Sequence, residues 1–598
     1  MCGINGIFRL GPDGPPVDRE ELIRTRDRMA LRGPDGKEVW LAADGSIGLG
    51  HRRLAIIDLS PGGAQPMAWG GGRFRIVFNG EIYNYQQLRD DLSREGVAFS
   101  SHSDTEVILA LYAREGRRML GRLRGMFALA IWDEHERSLL LARDPYGIKP
   151  LYVSESGSTL RFASQVRALL ASGEVDEAID PAGLAGFLLW GSVPEPWTLY
   201  RQIRSLPAGH SLLVRERGAE RPEPFHRFDD GPEGEDTNLA AALEDSVRAH
   251  LVADVPVGLF LSAGLDSSLI AALAVRAADE PLTTLTLRFA EYAGTLDDEG
   301  PLAAEVARVL GTRHVERRVR RDEFLDLWPA ALEAMDQPSI DGFNTYVVSR
   351  VAHQEGFKVV LSGLGGDELL GSYDSFRDVP RWARGAWLLR RVPGLAPVWP
   401  GLARSLRPRI PKLRGLLKYG ASHAGAYFLW RGLFLPDEIV GLLGGSAARE
   451  GLEAYDPVAD AGKHLADGSR HAEGWQAVHV MESTQYMRNQ LLRDADWASM
   501  AHSLELRVPL VDARLRRAFA AADFLPARET GKAEAVRRAA PELPPALWER
   551  PKSGFQIPVM RWIDDEAGIE RRAGEASRLL ALEVLRSFGI DLVEPGVG

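Results

Sequence analysis

Met1-Cys2-Gly3-Ile4-Asn5-Gly6-Ile7 opens the chain and holds the only cysteine in its 598 residues. Removal of Met1 would leave Cys2 with a thiol and a free α-amine on one residue, a nucleophile and its own general base. The thiolate is the reactive form. A free thiol has a pKa of roughly 8.5 and an α-amine one of roughly 7.7–8.0, so proton transfer between them is feasible near neutrality. The bland alternative is a small apolar residue that happens to follow the initiator methionine.

Length implies more than one domain, and a hydrophobic content of 45% is ordinary for a globular chain. A net charge of −11 argues against nucleic acid as the main partner. One cysteine excludes an internal disulfide and a Cys-x-x-Cys zinc site. With no apolar leader and no run near the ~20 residues of a membrane span, the expectation is a cytoplasmic protein without a transmembrane segment.

Outward from Cys2, residues 2–215 alternate short strands with capped helices. Asp18 to Glu21 reads as a capping box opening a helix. Arg73 to Asn79 alternates Phe74, Ile76 and Phe78 and reads as a strand ending in Asn79-Gly80. Residues 216–238 are polar and rich in Pro, Gly and Glu, a linker. From Leu239 onward, helices alternate with apolar strands at Val255–Leu261, Leu282–Phe289 and Lys358–Ser362, the pattern of a parallel α/β sheet. Beyond about 370 the chain reads as mostly helical, and 569–598 as a C-terminal tail.

A thiol that attacks an amide needs an oxyanion hole and a grip on its substrate. The Asn79 side-chain amide and the Gly80 backbone could stabilise an oxyanion, worth roughly 3–4 kcal/mol per donor; an Asn-Gly hairpin turn is the plainer reading. Arg53 could pair with a carboxylate. Asp104 could hold an ammonium, although Ser103-Asp104-Thr105-Glu106 is also a good capping box.

In the second half, Val255–Leu261 runs into Ser262-Ala263-Gly264-Leu265-Asp266-Ser267-Ser268 and then a helix. A loop of small residues before a helix N-terminus presents N–H groups to phosphate, and there is no Gly-Lys-Ser/Thr of a Walker loop. A second small-residue loop, Ser362-Gly363-Leu364-Gly365-Gly366-Asp367-Glu368, again follows an apolar strand.

Taken together, these motifs carry a resemblance. With Arg32-Gly33-Pro34-Asp35, Gln65-Pro66-Met67 and Arg143-Asp144, the first half resembles class II, N-terminal-nucleophile glutamine amidotransferases. The Ser262 loop looks like the pyrophosphate loop of ATP pyrophosphatases, with Ala263 where that loop carries glycine. Arg493-Asp494-Ala495-Asp496, Met500 to Glu505 and Arg507-Val508-Pro509 extend the match, which as a whole is similar to the glutamine-hydrolysing asparagine synthetase family.

The resemblance implies an αββα sandwich (2–215) followed by a Rossmann-like domain (239–568) with a helical C-terminal part. It implies that Cys2 attacks glutamine, with Asn79 and Gly80 as oxyanion hole and Arg53, Glu81 and Asp104 binding the amino-acid end. Ammonia would pass Arg32 and Met126 through a tunnel. ATP would meet Leu261, Ser262, Gly264, Asp266, Ser267, Leu287, Ser362 and Gly363, with Mg²⁺ on Asp266 and Asp367 and Lys552 facing the phosphates. Aspartate is the expected acceptor and a homodimer stays open as the assembly.

Two stretches depart from that pattern. Leu364 stands where the family commonly has an acid, and Met335-Asp336-Gln337-Pro338-Ser339-Ile340-Asp341-Gly342 differs from the common version. Both are expected near the acceptor, so another carboxylate, of a polysaccharide sugar acid or a natural product, is the alternative. Residues 377–418 are also unusual, with eleven basic side chains against one acid and three tryptophans among them. They read as a solvated helical excursion or as a docking surface.

Overall fold

In the computed structural model the described residues are 2–228, 238–295, 297–406, 411–465, 474–521, 531–550 and 573–590. Gly3–Arg9 lies inside a six-stranded sheet, between the antiparallel strands Ile47–Arg53 and Thr159–Ala163. A second sheet has Phe74–Ile82, Gly125–Asp133, Ser138–Arg143 and His210–Arg215 as consecutive antiparallel neighbours. Ile4, Phe8, Val77, Ala128, Ala130 and Trp132 fill the space between the sheets. The helix Arg19–Arg28 covers the outer face of the first sheet and Asp104–Glu115 that of the second, an αββα sandwich.

The third sheet is wholly parallel, in the order Arg313–Val319, Thr283–Phe289, Val257–Phe260, Val359–Leu361, Glu505–Arg507. The outer two strands have no apolar run. Arg313–Val319 is charged along most of its length, and Glu505–Arg507 is only three residues long. Helices dominate after Gly366, as expected.

Several local expectations give way to tertiary contacts. The strand from Phe74 does not end at Asn79-Gly80 but runs to Ile82. A Cβ on Gly80 would collide with the Met126 carbonyl, so glycine serves close strand packing and not a turn. Asp18 caps its helix by accepting from Glu20 N at 2.9 Å, but Glu21 is drawn away to Arg161, 2.6 Å from its Nε. Residues 218–224, read as linker, add short strands to His210–Arg215, and Phe228 is buried. In the stretch read as a tail, Ala573–Ser587 is a helix whose Val584 and Leu585 are fully buried.

The two halves share one core, where Met126, Phe187 and Leu188 pack in the same cluster as Leu287, Tyr346 and Trp497. Asp336 belongs to this seam. It accepts from Val166 N at 2.9 Å and Arg167 N at 3.0 Å, while Gln337 accepts from Leu199 N at 3.2 Å.

Candidate functional site

Cys2 sits at the head of the strand Gly3–Arg9 and is 8% exposed. Its backbone N donates to Asn79 Oδ1 at 2.9 Å, and its Sγ lies 4.0 Å from the Leu54 carbonyl. Burial pushes the thiol above its ordinary pKa, so a base is needed to generate the thiolate. Among the described residues no histidine is hydrogen-bonded to the thiol. His51, on the neighbouring strand, is held neutral by burial with a pKa of about 3, its Nε2 3.3 Å from Phe78 O. The nitrogen held by Asn79 becomes the free α-amine once Met1 is removed, which places that base beside the thiol.

The rest of Asn79 completes the arrangement. The residue is fully buried, and among the described residues its Nδ2 has no hydrogen-bond partner. A buried amide donor left open beside a nucleophile is what an oxyanion requires. Arg53 ends the strand paired with Gly3–Arg9 and donates to the Ser60 carbonyl at 2.9 Å and to that of Asp58. Asp104 accepts from Ile82 N at 3.1 Å, tying the first turn of its helix to the residue after Glu81. Burial raises the Asp104 carboxyl to about 6. Ser103 caps that helix, but Glu106 reaches the Ser100 and Ser101 backbone instead of closing a capping box.

Glu81 faces the other half of the chain. Its Oε2 lies 3.8 Å from Arg507, which holds Glu505 at 2.6 Å. Burial, and then the neighbouring Glu505, push Glu81 well above the usual carboxylate range. Burial opposes ionisation of Glu505 as well, yet Arg507 helps hold it down at about 2. Within the pair the proton is therefore favoured on Glu81 and the negative charge on Glu505. Arg32 makes a second link. Its Nε donates to Cys2 O at 3.1 Å while its two terminal nitrogens grip Asp496 at 2.7 and 3.0 Å. Lys149 Nζ, almost fully buried, lies 4.0 Å from the same carboxylate.

The second group of side chains gathers at the C-terminal ends of the parallel strands, the usual location for ligands in such sheets. Leu261, just past the end of Val257–Phe260, and Leu287, on the neighbouring strand, are both buried. In the loop between them and the helix Leu265–Ala277, Ser267 Oγ meets Ser262 Oγ at 2.9 Å and Ser262 N at 3.1 Å, and Gly264 N donates to Ser262 Oγ at 3.2 Å. Ala263 is not among the residues with positive φ, so its extra methyl imposes no strain. The Ser362 loop closes on this one. A Cβ on Gly363 would meet Asp266 Cβ at 2.9 Å, and one on Gly366 would strike the Asp266 carboxylate.

Asp266 and Asp367 converge on one cation, Lys532, whose Nζ donates to Asp266 and, at 2.6 Å, to Asp367. Sequence reasoning missed Lys532; an isolated lysine 165 residues from Asp367 carries no local signal. Lys552 lies outside the described residues. Two hard carboxylates already meeting at one positive charge suit Mg²⁺. Among the described residues no cluster of three or more protein metal donors exists, so phosphate oxygens would have to supply further ligands.

Beside Asp367, Glu368 is fully enclosed and accepts from Tyr373 OH at 2.9 Å. Burial, with Asp367 adding to it, lifts its carboxyl to about 7. Leu364 is half-buried and packs against the large core. The titratable group at this end of the loop is thus Glu368, which the sequence reading passed over. Asp494 accepts from Ser339 Oγ at 2.7 Å and Trp497 Nε1 at 2.7 Å.

Comparison with known proteins assigns a family to each half of the chain. Residues 1–226 match the glutamine amidotransferase domain family, and residues 238–585 match the asparagine synthase family. A Mycobacterium tuberculosis protein, provisionally named asparagine synthetase [glutamine-hydrolyzing], is 36% identical over 96% of this chain and 89% of its own length. Asparagine synthetase [glutamine-hydrolyzing] 1 of Bacillus subtilis is 32% identical over 95% of this chain and 88% of its own. Amidase chry2 of Gibberella zeae is 32% identical over 63% of this chain and 60% of its own. No helix among the described residues is long and apolar enough to cross a membrane.

Proposed function

The chain belongs to the asparagine synthase family of ATP-dependent, glutamine-hydrolysing ligases, and on that premise we propose that it amidates aspartate with ammonia released at Cys2. Residues 2–228 serve as the glutaminase and 238–590 as the synthetase. The α-amine takes the thiol proton, and the thiolate adds to the glutamine side-chain carbonyl. Asn79 Nδ2 and the Gly80 backbone receive the oxyanion. The protonated α-amine returns its proton to the amide nitrogen, the C–N bond breaks, ammonia leaves, and water then frees glutamate from the thioester. Arg53 holds the α-carboxylate. With Glu81 neutral, Asp104 supplies the negative charge for the α-ammonium.

At the second centre the acceptor carboxylate displaces pyrophosphate from ATP, and ammonia then displaces AMP to form the amide. The Ser262–Ser267 turn cradles phosphate, Leu261, Leu287, Ser362 and Gly363 border adenosine, and Lys532 balances charge on the departing pyrophosphate. Mg²⁺ held by Asp266 and Asp367 would add positive charge at the same place. Glu368, with a carboxyl poised near 7, is suited to take a proton from the attacking ammonia.

The observation that carries the proposal is the seam. Arg32 touches Cys2 O and grips Asp496 of the other half, both side chains buried, so the backbone of the nucleophile is tied through one side chain to the second half. Enclosure keeps ammonia from protonation in bulk water. The test is pyrophosphate release with ATP, Mg²⁺ and glutamine across a panel of carboxylates. Aspartate-dependent release supports the reading; none with aspartate removes it. A second reading, a non-aspartate carboxylate, draws on Leu364 and on the amidase relative. It predicts release with another member of the panel instead.

A further inference from the structure

Ten large apolar side chains are exposed among the described residues, and five of them fall within residues 387–402: Trp387, Leu388, Val392, Val398 and Leu402. These lie on the helices Ser375–Leu389 and Leu395–Leu406 and the turn between them. The first helix buries Phe376, Val379, Ala383 and Ala386 at helical spacing, which leaves Arg381, Arg384 and Leu388 on its exposed side. The second is anchored by Trp399, whose Nε1 donates to Leu413 O at 2.9 Å. Its Val398 and Leu402, one turn apart, are 58% and 42% exposed.

Charge on this segment is opposite to that of the chain. Asp374 and Asp378 are engaged by Arg377 and Arg381, so Arg384, Arg390 and Arg391 have no acidic partner among the described residues. Arg391 stacks over the half-exposed Trp387 ring at 3.3 Å. Further along, the basic run turns inward. Lys412 donates to the carbonyls of Trp430 at 3.0 Å and Gly432 at 2.5 Å, and Arg414 pairs with Asp437 and Glu438. Among the described residues, the exposed stretch whose arginines lack acidic partners is therefore 384–402.

We propose that residues 384–402 dock the protein on an anionic lipid bilayer, apolar side chains entering the headgroup–acyl boundary and arginines meeting lipid phosphates. A small soluble anion would use the arginines but would leave the four exposed aliphatic side chains in water. A second copy of the same face would set arginines against arginines. A bilayer takes both features at once, with tryptophan at the level where its amphipathic ring is favoured. The net charge of −11 repels an anionic surface elsewhere on the chain, so the segment also fixes the orientation of approach. The first helix starts eight residues after Asp367 and is ~22 Å long at 1.5 Å per residue, so docking holds the adenylation loop near the membrane. None of this depends on which acceptor is used.

The test is co-sedimentation of the purified full chain with phosphatidylcholine vesicles, with and without about one-third phosphatidylglycerol. Partitioning should favour the anionic vesicles by on the order of 100-fold for three arginines and should weaken with salt. The triple variant R384Q/R390Q/R391Q should lose that preference. The triple variant L388S/V392S/V398S should bind roughly tenfold or more weakly to both kinds of vesicle, with glutaminase rate and unfolding midpoint unchanged in each variant. Should either triple variant misfold, the salt dependence of the wild type and the single variant L388S decide the matter. Equal wild-type binding to the two vesicle types, or none, overturns the proposal. So does a variant whose only change is the loss of a dimer in light scattering, which would make the face a contact between copies.

Discussion

Each catalytic centre sets two acidic side chains around one buried cation, and the two arrangements differ in which cation it is. At the glutaminase seam Glu81 and Glu505 share Arg507, with Arg507 and Glu505 wholly out of water. Arg507 also donates to the carbonyls of His250 and Val252 at 2.8 and 2.7 Å. At the synthetase site Asp266 and Asp367 share Lys532, and both carboxylates keep some exposure. Arginine is always charged and presents a rigid fork; lysine is a compact, mobile charge. The first set is a permanent fastening between halves. The second is a cation site open to its loop, where one positive charge can make room for another.

Variants can break this contrast. Arg507→Met should cost about 3–5 kcal/mol in urea unfolding, because it strands Glu505 as an unpaired buried charge. Lys532→Met should instead act on chemistry, lowering pyrophosphate release about 10²-fold while raised Mg²⁺ restores stability lost to carboxylate repulsion. If Lys532→Met destabilises the chain as much as Arg507→Met and Mg²⁺ restores nothing, the distinction fails.

A smaller effect concerns Asp104. Its carboxyl is raised to about 6 in the fold from an ordinary 3.8, so the folded state holds that proton more tightly. The group's stability contribution is greatest below about 3.8, falls as pH rises towards 6 and is level above that. Its substrate-binding charge runs the opposite way. KM for glutamine should rise up to about tenfold per pH unit below 6, and Asp104→Asn should flatten that profile at a high KM. The smallest change should be Glu81→Gln. Because Glu81 is already neutral, stability should shift by under about 1 kcal/mol; a loss as large as that of Glu505→Gln would reverse the assignment of charge within the pair.

The two centres also differ in how readable they were. Cys2, Asn79, Arg53 and Asp104 lie in short motifs, and strand pairing and hydrogen bonds join Cys2 to Asn79 and Asp104 to the end of the same strand. Asn79-Gly80 illustrates the limit. Its dipeptide signal says turn, and only the close approach of the neighbouring strand reveals a strand interior. The seam was less visible still, since Arg32 and Asp496 are 464 residues apart and nothing local pairs them. At the second site the loops were legible because small residues before a helix carry their own logic. Lys532 and Glu368 were not, because burial supplies their meaning. The segment 218–228 looked like linker by composition, yet Phe225 stacks on Phe127 at 6.1 Å and holds it to the sandwich.

One chain with two separable centres, Cys2 supplying the second, makes a sharp kinetic prediction. The direct measurement is pyrophosphate release by Cys2→Ala with glutamine and, separately, with ammonium. Glutamine-driven release should fall by at least ~10³-fold while ammonium-driven release stays close to wild type. Loss of both, or survival of the glutamine reaction, would contradict the account.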